Sequence, residues 1–134
     1  MIKLKDILLE SMTKVDIQTI IDRVYPKIVK NLGKAKQGTP TVEIHDNIYV
    51  RVSGLEGAQG EANPYAEYDR KENKIYLYTK RLINLEQIIR SLLHEYTHTL
   101  QDPTKIAINR GYGYENNPYE KAAHKAEENW RKYI

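Results

Sequence analysis

The stretch NLEQIIRSLLHEYTHTLQ, residues 84–101, decides the fold. Asn84 is a residue type that caps helices, and Gln87 follows it three positions on, as in a capping box. Apolar side chains then recur every three or four residues, as on the buried face of an amphipathic helix. They are Leu85, Ile88, Ile89, Leu92, Leu93, Tyr96 and Leu100. The sequence therefore predicts a helix over 84–101 that packs along one face.

This predicted helix carries the pattern H-E-x-x-H at His94, Glu95 and His98. Two histidines four positions apart project from one helix face about 6 Å from each other, so their ring nitrogens can converge on one zinc ion. Zinc lowers the pKa of a bound water to about 7, and a neighbouring carboxylate can then take its proton. We therefore predict His94 and His98 as Zn²⁺ ligands and Glu95 as the general base of a hydrolase.

The same five-residue pattern also arises by chance. The residues around it are uncharged, as a motif in a domain interior requires; they are Leu92, Leu93, Tyr96, Thr97, Thr99 and Leu100. Two buried histidines beside a glutamate, without a metal, would leave polar groups unsatisfied at a cost of about 1–3 kcal/mol each. The pattern therefore favours a metal site over an accident of composition.

A catalytic zinc site needs a third protein ligand and leaves the fourth position to water. The downstream candidates are Asp102, Glu115, Glu120, His124 and Glu127. We favour Glu120, because Asn117-Pro118 predicts the start of a helix, running to about Lys132, that can pack across the motif helix. Glu120 is also the third residue of that helix and could act only in its cap. His124, one turn later, is either a partner of a ligand or a solvated side chain.

The remaining patterns predict a helix from Thr13 to a C-terminal cap at Gly33, which Pro26 should kink or split. Alternation over 42–44 and 48–52, with turn residues between, predicts two strands or one bent strand. Residues 65–69 and 74–79 predict a hairpin. In the last helix we expect a buried stripe, formed by Tyr119, Ala122, Ala123, Ala126 and Trp130. The sum is an α+β fold with an N-terminal helix, a small twisted sheet of three or four strands, the H-E-x-x-H helix and a C-terminal ligand helix.

Composition limits the classes of protein. The chain has 134 residues, 40% of them hydrophobic and 29% charged, which fits one globular domain over 13–134 after a short arm, 1–12. Without cysteine there is neither a disulfide nor a thiolate ligand. No apolar run is long enough for a membrane helix or a secretion signal. The net charge of +3 is too small to predict a nucleic-acid surface.

The motif His94-Glu95-x-x-His98, followed by Asn-Pro-Tyr-Glu120-x-x-Ala, resembles the zincin metallopeptidases of the gluzincin type. The resemblance covers 13–134 and implies a minimal zincin fold, a peptide or protein substrate, and zinc held by the two histidines and Glu120. It also implies that the strand before the motif helix, residues 75–79, binds substrate in extended form. Where that family has an aspartate one turn after the glutamate, this chain has His124. Tyr112 and Tyr114 would either donate a hydrogen bond to an oxyanion or belong to a turn.

Residues 1–11 resemble the leader of internal virion proteins of tailed phages, which a prohead protease cuts after Leu-x-Glu, here after Glu10. The alternative is an amphipathic first helix. The first interpretation predicts a protein of the host cytoplasm or of the phage virion. Among other functions, deformylase-like amide hydrolases share H-E-x-x-H but use a cysteine ligand. A non-catalytic virion or nucleic-acid-associated protein stabilised by a metal is the alternative from another class.

Overall fold

The computed structural model describes residues 13–82, 84–103 and 117–134. It confirms the α+β class: an N-terminal helix, a three-stranded mixed sheet, and a central helix that packs against the C-terminal one. The elements are α1 (Lys14–Leu32), β1 (Thr41–His45), α2 (Ile48–Ser53), β2 (Ala66–Asp69), β3 (Lys74–Tyr78), α3 (Leu85–Leu100) and α4 (Pro118–Glu127), followed by a 3-10 turn, Trp130–Tyr133.

Helix α3 is the centre of the fold, as predicted. The Asn84 side chain accepts a hydrogen bond from the Gln87 backbone N–H at 2.9 Å, which starts the helix where the sequence placed it. Its apolar face is buried against α1 and the sheet, and a second face packs against α4. The hydroxyl of the buried Tyr96 donates to the Gly33 carbonyl at 2.7 Å and so joins α3 to the end of α1.

Helix α1 begins with a capping box between Thr13 and Asp16 and is continuous through Pro26. The prediction that this proline splits the helix is therefore wrong. Pro26 and Asp22 are both exposed, so the carbonyl that loses its N–H partner lies on the side where water can replace it. The opposite face is buried in the core.

The sheet has the order β1-β3-β2, with β3 parallel to β1 and antiparallel to β2. The predicted hairpin over 65–79 is confirmed as β2 and β3. The predicted strand over 48–52 is wrong, because Ile48–Ser53 is a short helix. Asn47 caps it by accepting a bond from the Val50 N–H, and Gly54 ends it in the left-handed conformation. These two helix caps have a greater effect than the alternation of apolar and polar residues, because none of the alternating residues is buried.

Helix α4 is shorter than predicted, since it ends at Glu127 instead of continuing to about Lys132. The chain then tightens into the 3-10 turn, whose three-residue spacing turns both Trp130 and Tyr133 into the core. In the predicted stripe, Ala123 is buried but Ala122 is exposed, so the face of α4 that meets α3 is narrower than expected. None of the helices in the described ranges combines the length and apolar character needed to cross a membrane.

Candidate metal centre

The two motif histidines lie on the face of α3 that packs against α4. Their Nε2 atoms are 3.2 Å apart, and both side chains are largely buried. The ligand atoms of a tetrahedral zinc with bonds of about 2.0–2.1 Å lie roughly 3.3 Å apart. The i, i+4 spacing on α3 has therefore brought the two nitrogens to the separation that one ion requires.

Glu120 comes from the first turn of α4 and points at both histidines. Its Oε1 lies 3.0 Å from His98 Nε2, and its Oε2 lies 3.2 Å from His94 Nε2. The Asn117 side chain caps α4 through the Tyr119 N–H, while the Glu120 carboxylate faces the histidines. Oε2 of Glu120 is buried and makes no hydrogen bond with any described residue.

The other nitrogen of each histidine is held by a second residue. His94 Nδ1 lies 2.8 Å from Glu127 Oε2, and His98 Nδ1 lies 2.7 Å from Gln101 Oε1. The Gln101 amide is itself fixed, because its Nε2 donates to the Tyr119 carbonyl at 2.9 Å. Both acceptors favour a proton on Nδ1, which leaves the Nε2 lone pairs directed at the Glu120 carboxylate.

This arrangement brings lone pairs together. With the protons on Nδ1, the two Nε2 atoms and the Glu120 oxygens are all acceptors, yet each Nε2 lies within 3.2 Å of the other Nε2 and of one Glu120 oxygen. Such contacts are repulsive unless a cation lies among them or one ring gains a second proton; burial opposes protonation of His94, but its bond to Glu127 and the charges of Glu95 and Glu120 raise its pKa. Two observations fit a zinc ion held by His94, His98 and Glu120. Glu120 Oε2 has no hydrogen-bond partner within the part of the chain that the structure describes, and the ligand atoms would be two imidazole nitrogens and a carboxylate oxygen.

His124, one turn after Glu120, lies beside this cluster. Its Nδ1 is 3.0 Å from Glu127 Oε2, and its ring centre is 4.8 Å from that of His94. His94, Glu120 and His124 also form a group that could hold a metal ion, with ligand atoms within 4.8 Å of one another. The two candidate sets share His94 and Glu120, and the set containing His98 is the more compact.

Glu95 is buried at the floor of the site. Burial raises its pKa to about 7; the charge of His94 opposes this shift, and the carboxylates of Glu120, Glu67 and Glu127 add to it. Burial lowers the pKa of His98, which favours the neutral ring that a metal ligand needs. The negative charge gathered around two imidazoles is a further sign that the site suits a cation.

Two cavities adjoin the cluster, and Glu95 lines both. The cavity on the His94 side has a volume of about 350 Å³ and reaches Ala66 at the start of β2. The cavity on the His98 side has a volume of about 280 Å³ and reaches Tyr68 near the end of β2. Strand β2 therefore contributes residues to both cavities, which share Glu95; the two cavities together are called the cleft below.

The expectation that residues 75–79 bind an extended substrate is wrong. Residues 75–78 belong to β3 and Thr79 follows it; β3 is the central strand and pairs with β1 on one side and β2 on the other. Its backbone groups are therefore engaged within the sheet. Strand β2 is an edge strand of the sheet, contacts α3 and lines both cavities.

The structure thus brings the four predicted site residues, His94, Glu95, His98 and Glu120, to one place. His124 and Glu127, which were also candidates for the third ligand, lie beside them. Glu115, Tyr112, Tyr114 and the arm 1–12 lie outside the described residues, so the interpretations attached to them stay predictions. The roles of Glu127 and Gln101 were missed, although Gln101 follows His98 by three positions and Glu127 follows Glu120 by seven, spacings that keep each pair on one helix face.

Comparison of the chain with protein-family models, with curated proteins and with solved structures finds no match. The chemistry of the site is therefore inferred from its own residues.

Proposed function

We propose that the protein is a zinc-dependent hydrolase of peptide bonds. His94, His98 and Glu120 hold the ion, and Glu95 acts as general base. The observation that carries the proposal is the convergence of three acceptor groups within 3.2 Å, with both Nδ1 atoms engaged behind them. The resemblance of the motif His94-Glu95-x-x-His98 and Glu120 to that of the gluzincins supports the same ligand set.

Bound there, zinc would supply a Lewis acid that polarises a carbonyl group and lowers the pKa of water. Glu95 takes the proton of the attacking water on a carboxylate oxygen and returns it to the leaving amine nitrogen, so the carboxylate is regenerated. Glu127 and Gln101 keep the imidazoles in the ligating tautomer throughout. Glu95 can serve both cavities because it lines each of them.

The cleft suggests how a peptide would bind. An edge strand offers unpaired backbone donors and acceptors, to which an extended chain can add as a further strand. Strand β2 has such an edge and contributes residues to both cavities that Glu95 lines. A peptide or unfolded protein segment is therefore the substrate class that fits best.

The test is the variant Glu95→Gln, with Glu86→Gln as a matched control on the exposed side of the same helix. We expect both variants to bind about one zinc per chain, since neither loses a ligand. Only Glu95→Gln should lose the cleavage of a fluorescence-quenched peptide library. Cleavage retained by zinc-loaded Glu95→Gln would contradict the assigned base, and absence of stoichiometric zinc would contradict the site.

One observation favours a second candidate, a non-catalytic protein that zinc stabilises. Structural zinc sites have four protein ligands, whereas catalytic sites leave one position open. His124 lies close enough to His94 and Glu120 to supply a fourth ligand. If it does, His124→Ala will weaken zinc binding strongly and wild-type protein will cleave no peptide. If the site is open, zinc binding will survive this substitution.

A further inference from the structure

We propose that Arg70 binds a carboxylate group of the substrate, and so selects acidic peptides or free C-termini at the His98 end of the cleft. The inference rests on the proposed function, because it assigns specificity to the same site. It is based on the position of the Arg70 guanidinium, which is held in the wall of the cavity that His98 and Glu120 also line.

Arg70 follows β2 directly and is held in place from two sides. Its Nη2 donates to the His98 backbone carbonyl at 2.8 Å, and its guanidinium carbon lies 5.4 Å from the centre of the Tyr68 ring. A guanidinium has five N–H donors, so these contacts leave most of them available. The side chain is half-buried and its planar end is oriented before any ligand arrives.

Arg70 differs from Arg51 and Arg90 in its partners. Arg51 lies 3.7 Å from the Glu67 carboxylate, and Arg90 pairs with Glu86 at 2.9 Å. Within the described ranges, Arg70 forms no ion pair with a carboxylate; its hydrogen bond goes to a neutral carbonyl. The Glu95 and Glu120 carboxylates line the same cavity, but neither forms an ion pair with Arg70, and the proposed zinc ion would offset their charge. The guanidinium can therefore pair with an anionic ligand.

The charged residues on the far side of Arg70 are also mainly positive. A larger cavity, of about 670 Å³, adjoins Arg70 and is lined also by Lys34 and Lys36, with Asp102 on the same wall. The cavity at the other end of the cleft has Glu127 in its lining and neither lysine nor arginine. Carboxylates line both ends of the cleft, so the two ends differ in Arg70 and the two lysines beyond it. These positive side chains favour an acidic group at the His98 end once zinc offsets the carboxylates there.

A carboxylate is the anion that fits a peptide substrate, because it can accept two parallel hydrogen bonds from one guanidinium. It can come from an aspartate or glutamate side chain or from the free C-terminus of the peptide. The two sources share one chemistry at Arg70, and matched peptides can distinguish them.

The experiment uses three matched peptides, acetylated at the N-terminus, that differ only at one side chain or at the C-terminus. The first carries glutamine and a C-terminal amide, the second replaces that glutamine with glutamate, and the third keeps glutamine but has a free C-terminus. We measure kcat/KM for the wild-type enzyme with zinc, and binding to zinc-loaded Glu95→Gln protein by fluorescence anisotropy. The glutamine is moved along the peptide to sample each subsite.

We expect one of the carboxylate peptides to be favoured over the neutral amide by about tenfold in both measurements. Arg70→Gln should bring this ratio close to one. Arg81→Gln is the matched control, since Arg81 also stacks on a tyrosine and donates to a backbone carbonyl, but lies outside the lining of the His98 cavity. It should leave the ratio and the activity unchanged.

If Arg70→Gln does not fold, as judged by circular dichroism, Arg70→Lys takes its place; it keeps the charge but loses the planar fork, and should lower the ratio several-fold. Peptide cleavage without any preference for a carboxylate, or a preference that survives substitution of Arg70, overturns the inference while the proposed function stands. If no peptide is cleaved, the proposed function fails, and the anisotropy ratio still decides whether Arg70 binds carboxylates.

Discussion

Glu127→Gln should weaken zinc binding by about tenfold, although Glu127 is not one of the proposed ligands. Its Oε2 lies 2.8 Å from His94 Nδ1, a length typical of a charge-assisted hydrogen bond, and 3.0 Å from His124 Nδ1. The amide keeps an oxygen acceptor but loses the charge, which places the effect near the lower end of the roughly 10–100-fold range seen for such partners. Glu127→Ala removes the acceptor and should approach the upper end.

The affinity is measured by competition with a chromophoric chelator at fixed pH. Glu128→Gln is the control, because it makes the same change of charge at the neighbouring, exposed position. It should alter the affinity less than threefold or so, as expected for a screened surface charge. The reasoning is refuted if Glu127→Gln and Glu128→Gln bind zinc equally well, since the orientation of His94 would then not depend on Glu127.

Three further substitutions test other parts of the structure. Glu120→Gln should abolish tight zinc binding. It should also raise the free energy of unfolding of the zinc-free protein in urea by about 1 kcal/mol, because the amide can donate a hydrogen bond to an Nε2 lone pair. A zinc-free variant less stable than wild type would contradict the repulsion inferred at the site. Asn47→Ala should cost about 1 kcal/mol through loss of the α2 cap, and no change would argue against this helix. Tyr96→Phe should cost about 1 kcal/mol by leaving the Gly33 carbonyl unpaired, which unfolding measured against wild type will detect.

Local patterns carried most of what could be predicted. Helix α3 was predictable because its cap and its apolar period agree with each other, and His94 and His98 follow from helix geometry alone. Glu120 was predictable in position, since Asn117 and Pro118 mark the start of α4. Its part in the cluster depends on how α4 crosses α3, which no local pattern states.

The errors arose where a short element is decided by its ends or by distant partners. Residues 48–52 alternate like a strand, but a single cap at Asn47 and a left-handed Gly54 fix a helix of six residues. The strand before α3 became the central one because β1 pairs with it in parallel, and that pairing joins residues more than thirty positions apart. Non-local pairing of this kind has no signature in the sequence of either strand.

In helix α3 the proposed ligands lie on a different face from the apolar residues. One side packs into the core through residues such as Leu92 and Tyr96, and a second side presents His94 and His98 to α4. A hydrophobic pattern alone would assign the histidines to solvent, yet α4 covers them almost completely. A polar face that is buried by a neighbouring helix needs partners for its polar atoms, and Glu127 and Gln101 supply them for the two Nδ1 atoms. The same packing that buries the histidines therefore leaves their inward lone pairs without a proton to share, and zinc is the partner that we infer for them.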